Sequence, residues 1–280
     1  MSKGLLDPKV DFVFKNIFGS PNHPEILISF LNATLKAKKK IVNVHIKKTD
    51  IEKQYIEDKY SRLDVKATTS NDEIINIEIQ LKNENNMVKR SLYYLSKMYE
   101  EQLNEKEDYS KLVRTVCINI LNFKYLKTDN FHTGYRFKEI ESNEELTDIM
   151  EVHFIEIPKL QDSSDEKDML VAWTEFLKDP ESEKVRGLEL SIEEIRQAKD
   201  ELIRMSNDST QRELYDMRAN SLRDKMSELN AAERKGIEKG REEGRKEEKI
   251  KIARNMKLSG IDTNTIAKVT NLSEDEIDKL

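Results

Sequence analysis

One cysteine, one tryptophan, five prolines and eight glycines are all that 280 residues contain of these types. A single thiol supports no disulfide framework. Cys117 lies in the apolar run VCINILNF, so the expected reading is a small buried core residue in a reducing compartment rather than a nucleophile. No apolar stretch approaches the roughly 18 residues of a membrane span. The opening MSKGLLDPKVDF lacks the continuous apolar segment of a secretory signal, so a cytoplasmic protein is expected. Histidine is also scarce: His23, His45, His132 and His153 show no pair at metal-binding spacing. Neither G-x-x-x-x-G-K-[ST] nor G-x-S-x-G occurs, which argues against a P-loop nucleotide hydrolase and a serine hydrolase of the nucleophile-elbow kind.

Charge is abundant. Asp and Glu number 54 against 48 Lys and Arg, for a net charge of −6. The balance is uneven: residues 1–48 carry nine lysines against three acids, and residues 139–169 carry eleven acids against two lysines. A chain divided this way can offer nucleic acid a positive face despite its overall sign. Taken singly, each run reads as a solvated surface.

The apolar periodicity places the elements. In PKVDFVFKNIFG, Val10, Phe14 and Ile17 share one helical face, with Gly19 at its end. EILISFLNATL is a second helix, followed by the loop lysines Lys38, Lys39 and Lys40. IVNVHI, RLDVKAT and IINIEIQL read as strands, the last two joined through the turn residues TTSNDE as a hairpin. MVKRSLYYLSKMYEEQLNE is a helix, and LVRTVCINILNF is an apolar central strand. Two more strands are expected around GYRFKEI and VHFIEIPKL. This order predicts an α/β domain over residues 1–162, a mixed sheet flanked by helices. A charged, mostly helical extension over 163–258 follows, with Trp173, Phe176 and Leu177 available to dock one helix. Glycines at 236, 240 and 244 weaken its last part, and a small-residue stripe there offers a route to a homo-oligomer. Residues 259–280 form short helices, with Thr263 or Asn264 capping one and Ser273 with Glu276 forming a capping box for the next. This arrangement fits a helix-turn-helix and an ordinary two-helix docking unit equally.

Asp64 and Glu78 fall on neighbouring antiparallel strands in this reading. Gln80 shares the face of Glu78, because alternate strand residues point the same way. Two carboxylates so placed suit a hard cation such as Mg2+ or Mn2+, which neutralises a phosphate and activates water. The Gln80 amide can hold the attacking water or a phosphate oxygen. Tyr93 and Tyr94 either stack on nucleic acid or pack their helix on the sheet.

DPKVDFVFKNIFGSPNHPEILISFLNATL, LDVKA, INIEIQL, KRSLYYLSKMYEEQL and HFIEIPKL, in that order over about residues 5–160, resemble the Rpn family of recombination-promoting nucleases, transposase-like members of the PD-(D/E)XK superfamily. The charged EKGREEG repeats of the tail are similar to those of such proteins. The resemblance implies a restriction-endonuclease-like core and divalent-metal-dependent DNA cleavage with little sequence specificity. It implies Asp64 as the strand acid and Glu78 as the second metal ligand. Gln80 stands where the superfamily usually has lysine, as in many proteins this chain resembles, and a nearby cation could substitute for the missing positive charge. Arg90 is preferred for that role over Lys82. Asp11 is a further acid on the first helix, with Lys15 one turn later. Lys15, Lys38, Lys39, Lys40, Lys82 and Lys89 are the candidate DNA contacts. The alternative is a core that has lost catalysis, with Gln80 as the symptom, and that binds DNA or a protein.

Overall fold

A computed structural model describes residues 4–36, 39–47, 65–165 and 167–280. Asp64 and Lys38, two of the residues singled out above, lie outside the described residues. By backbone contacts the chain divides into two compact units, residues 1–219 and 220–280.

The first unit is built on a six-stranded mixed sheet. Its strands are β1 (Val44–Lys47), β2 (Val65–Thr69), β3 (Ile74–Gln80), β4 (Thr115–Leu121), β5 (His132–Lys138) and β6 (Glu145–Glu156). Their spatial order is β1-β2-β3-β4-β6-β5. β1, β2 and β3 are antiparallel neighbours, so the TTSNDE turn does close a hairpin. β3, β4 and β6 run parallel in the middle, and β5 returns antiparallel at the edge. Every residue of β4 is buried, as expected for a parallel strand covered on both faces.

Helix α3 (Met87–Glu100) connects β3 to β4 and covers one sheet face. Met87 and Leu95 pack there on Cys117, Leu121, Val152 and Phe154. A second layer comprises α1 (Asp11–Phe18), α2 (Pro24–Leu35), α4 (Met169–Lys178), α5 (Glu183–Ser191) and α6 (Glu193–Asn207). Its centre is aromatic: Phe18 stacks on Phe14 at 4.5 Å and meets Phe30 and Trp173 edge-on at 5.4 and 5.3 Å. Trp173 also donates its indole N–H to Ser29 Oγ at 3.2 Å. Such pairs add to burial because ring edges and faces carry opposite partial charge. Trp173, Phe176 and Leu177 therefore do dock α4, and they do so on α1 and α2. The composition of the chain changes near 162, whereas packing keeps α4, α5 and α6 in the same unit as the sheet.

α7 (Ser209–Leu258) carries the charged repeats. In the second unit its end, α8 (Thr263–Thr270) and α9 (Glu274–Asp278) enclose a small core of Ala253, Ile266, Leu272 and Ile277. Gly260, at φ +80°, takes the left-handed conformation that turns the chain out of α7. Ser273 and Glu276 form the capping box. The cap of α8 is neither Thr263 nor Asn264 but Asp262, whose Oδ1 accepts from the Thr265 N–H at 3.0 Å. Asp262 keeps extended backbone geometry, and Thr263 is already helical.

Candidate active site on the α3 face of the sheet

β3 alternates isoleucines with Asn76, Glu78 and Gln80, and the sheet register gives the polar set its neighbours. Asn76 lies beside Cys117, Glu78 beside Asn119, and Gln80 beside Leu121. Paired residues of adjacent strands share a face, so Glu78 and Asn119 stand together under α3. The Ile75, Ile77 and Ile79 side chains are buried on the opposite face and hold the strand in place.

Glu78 is only 1% exposed. Arg90, on the first turn of α3, reaches it with Nε 3.3 Å from Glu78 Oε2. The guanidinium also lies 4.0 Å from Glu84 and 5.4 Å from the centre of the Tyr94 ring. The other oxygen, Glu78 Oε1, is buried and has no hydrogen-bond partner among the described residues. Burial pushes the Glu78 carboxyl above the usual carboxylate range, against the opposing pull of the Arg90 charge and of hydrogen bonds from Arg90 and Asn76. Asn76 Oδ1 and Lys82 Nζ are likewise buried without a hydrogen bond among the described residues. Asn119 is fully engaged: its Oδ1 accepts from Ser91 Oγ at 2.8 Å, and its amide donates to the His153 carbonyl at 3.1 Å.

A buried carboxylate with one oxygen held by arginine and the other left open has an acceptor to offer to a ligand. It suits a hard divalent ion, which takes carboxylate oxygen and retains water. The acid expected to complete the site, Asp64, belongs to the segment just before β2. Among the described residues, no group of three or more His, Cys, Asp or Glu side chains is assembled for a metal.

The remaining candidates divide clearly. Gln80 is half-buried at the end of β3, where its carbonyl accepts from the Asn122 N–H at 2.9 Å. Arg90 joins Glu78 directly. Asp11 opens α1 with Oδ2 3.6 Å from Arg218, and Oδ1 accepts from the Phe12 N–H, so its charge is engaged away from Glu78. Lys15, Lys39, Lys40 and Lys89 are exposed. Tyr94 is buried under α3 while Tyr93 points outward, about half exposed. Cys117 is buried, its thiol pushed up to about 12 by burial and the nearby Glu78 charge, which leaves it inert at neutral pH. An open cleft of about 800 Å³ lies between α2 and the 165–169 turn. It mixes Lys36, Lys40 and Lys167 with Glu25, Asp165, Asp168 and Glu194, and none of the Glu78 group lines it.

The sequence reading missed a second polar assembly. On the face opposite Glu78, His132 Nε2 lies 2.9 Å from His153 Nδ1, and His153 Nε2 lies 2.6 Å from Glu151. Arg114 bridges Glu151 to Glu73, and Arg136 Nε binds Glu151 at 2.9 Å. No sequence spacing signals this group: the β5–β6 pairing brings His132, Arg136, Glu151 and His153 together, and Arg114 and Glu73 reach them from just before β4 and β3.

A comparison of the sequence with protein families matches residues 8–232 to the PD-(D/E)XK nuclease family transposases. The chain belongs to this family. Its mixed sheet with flanking helices is accordingly a restriction-endonuclease-like core. Residues 246–280 match the C-terminal HTH domain of the Rpn/YhgA-like nuclease family, which makes α8 and α9 part of a helix-turn-helix rather than a plain docking pair. No curated protein and no solved structure matches the chain. Among the described residues of this Rpn-family protein, no helix is long and apolar enough to cross a membrane.

Proposed function

We propose that this Rpn-family chain is a divalent-metal-dependent DNA endonuclease of low sequence specificity, and that it promotes recombination by producing DNA ends. The observation that carries the proposal is Glu78, buried on the central strand β3 with one oxygen fixed by Arg90 and the other unpartnered among the described residues. A solvated surface acid has no such environment, and a purely structural one has both oxygens satisfied.

In this reading Glu78 and Asp64 hold Mg2+ or Mn2+. The bound ion supplies an activated water and neutralises charge on the phosphate. Arg90 is a positioning residue: it holds one Glu78 oxygen so that the other faces the cation. The Gln80 side chain, on the same face, orients the attacking water or a phosphate oxygen. Glutamine is neutral and cannot replace the charge that lysine brings at this position elsewhere in the superfamily. Lys15, Lys38, Lys39, Lys40 and Lys89 gather the DNA backbone, a contact that is insensitive to sequence and sensitive to salt. The match of residues 246–280 to an HTH domain supports DNA as the partner. Asp11 is left out because Arg218 engages it.

The test is incubation of supercoiled plasmid with purified protein in Mg2+, Mn2+ or Ca2+, beside Asp64→Ala and Glu78→Ala. Nicking and linearisation are expected in Mg2+ or Mn2+ and should vanish in both variants while their circular dichroism stays native. Wild-type cleavage rates in both variants would remove the assignment. DNA binding without turnover in any metal would instead leave a binding module.

A further inference from the structure

We propose that residues 122–128 form a rigid wall beside the Glu78 site, and that Lys124 and Lys127 on this wall bind backbone phosphates of the DNA. The proposal rests on the nuclease reading above and adds a binding surface to it, without a catalytic group.

The parallel strands β3, β4 and β6 end in register, with Gln80 beside Leu121 and Leu121 beside Glu156. The chain leaves β4 at Asn122 and crosses this edge of the sheet. On one side, the Asn122 N–H donates to the Gln80 carbonyl at 2.9 Å. On the other, Glu156 Oε1 accepts from the N–H groups of Tyr125 and Leu126. Tyr125 Oη accepts from the Val88 N–H at 3.4 Å, which ties the segment to the first turn of α3, where Lys89 and Arg90 lie. Glu78 is two residues inside the same edge, about 7 Å along the strand. Open sheets take their ligands at the carboxyl ends of parallel strands.

A plain connection needs no buried charge to hold it, yet this one is held by two. Glu156 is fully buried, the Lys159 side chain is 7% exposed, and the two pair at 2.6 Å. Lys159 Nζ also donates to the Leu126 and Thr128 carbonyls at 2.7 and 2.6 Å. Removing two charges from water is costly unless their polar atoms are partnered. Here the partners include the backbone of the segment itself. The result is a surface loop of fixed geometry, which is what a positioned binding residue requires.

The side chains this loop turns outward are cationic. Lys124 and Lys127 are exposed, while Phe123, Tyr125 and Leu126 are half-buried between them. Neither lysine pairs with an acid among the described residues. Other lysines of this unit do: Lys97 and Lys111 meet glutamates three or four residues away at 3.4 and 2.8 Å. A backbone phosphate is the anion that fits, because DNA presents it at regular intervals whatever the sequence. Lysine suits it as a compact point charge with three donors on a flexible stem. Such a contact fixes the register of the duplex and reads no base, in keeping with low sequence specificity.

The experiment measures the affinity of full-length protein for a labelled duplex in Ca2+ across a KCl series. It compares wild type, the double variant Lys124→Gln/Lys127→Gln, and Lys106→Gln. Lys106 is exposed in the loop that enters β4, at the other edge of the sheet, so its variant removes a like charge away from the wall. The double variant should lower the slope of log affinity against log salt by about two, and Lys106→Gln should leave it unchanged. Single-turnover cleavage in Mn2+ at saturating DNA should stay within about threefold of wild type in the double variant, because the lost contact is equal in ground and transition states. Melting temperatures should match the wild type's, since only exposed side chains change. An unchanged slope in the double variant, an equal fall in Lys106→Gln, a cleavage rate outside that range, or a wild type that binds no duplex overturns the proposal. If the wild type binds with the expected slopes but cuts in neither Mg2+ nor Mn2+, the nuclease reading fails and the phosphate contact stands.

Discussion

At the scale of single residues, Glu78 sits in an environment that disfavours its charge. Burial raises its carboxyl pKa, so the charged form costs more in the metal-free fold than in the unfolded chain. A group raised in the folded state contributes stability below its unfolded pKa and loses it as pH rises through the folded value. Glu78→Gln, a neutral mimic, should therefore melt a few degrees above wild type in EDTA at pH 8, with the gap closing toward pH 5. Calorimetric titration with Mn2+ should show the reverse dependence. Affinity should fall in mild acid, starting at a higher pH than an ordinary glutamate dictates, because the ion needs the carboxylate. A melting-temperature gap independent of pH would contradict this account of Glu78.

His132 titrates with the opposite consequence. Burial first, then the neighbouring His153, lowers it from 6.5 to about 4. The unfolded chain then binds a proton that the fold refuses, so stability is lost as pH falls from about 6.5 to about 4. Glu151 adds to the loss at lower pH. Burial alone would raise it, but hydrogen bonds from His153, Arg114 and Arg136 hold it at about 2, and its contribution fades as pH falls toward that value. His132→Leu should flatten the upper part of this acid limb in a chemical-denaturation series, and an unaltered limb would show that another group sets it.

At the scale of elements, the acidic run at 139–169 shows how pairing overrides composition. It reads as solvated charge, yet β6 begins at Glu145 and carries Glu151 into the interior, where Arg114 and Arg136 answer it. Gly134 makes room for this arrangement. A Cβ built there would lie 3.0 Å from His153 Cε1 and 3.2 Å from Nδ1, and that ring is already held by Glu151 and His132. Gly134→Ala should cost about 1–3 kcal/mol by urea denaturation, as overpacking does where neighbours cannot retreat. The glycines of α7 behave differently. Nothing lies within 4 Å of a Cβ built at Gly236, Gly240 or Gly244. Alanine at each should strengthen the helix by up to about 1 kcal/mol, read as a rise in thermal stability. A loss of oligomer in light scattering would show instead that the stripe packs against another copy. In the second unit, Ser273→Ala removes one arm of the capping box and should cost about 1 kcal/mol.

At the scale of the whole molecule, the two compact units have separate cores. The first is centred on Phe14, Phe18, Phe30 and Trp173 together with the sheet, and the second on Ala253, Ile266, Leu272 and Ile277. A chain ending at Ala219 should keep its near-ultraviolet circular dichroism and most of its melting temperature, because its buried contacts are internal. Removing residues 246–280 should weaken DNA affinity while leaving the cleavage rate at saturating DNA within about threefold of wild type. A truncated protein that binds DNA as tightly as the full chain would take the HTH match out of the DNA interface.

Periodicity determined the strand and helix order, the β2–β3 hairpin and the α3 crossover. These follow from local apolar spacing, which a single chain displays without reference to its neighbours. The same alternation put Asn76, Glu78 and Gln80 on one face, and the ordered block of motifs pointed to the Rpn family. What only tertiary structure decided was which charges are buried and what they touch. Glu78 lost its solvent on the sheet face that α3 covers, and Arg90 was drawn to it. His132 and His153 met because β5 folds back along β6; α4 joined the sheet's unit through the rings of Trp173 and Phe176, and α5 and α6 through buried Val185, Leu188, Ile195 and Leu202. Burial and electrostatic partnership depend on contacts between residues far apart in the chain, and no local pattern encodes them.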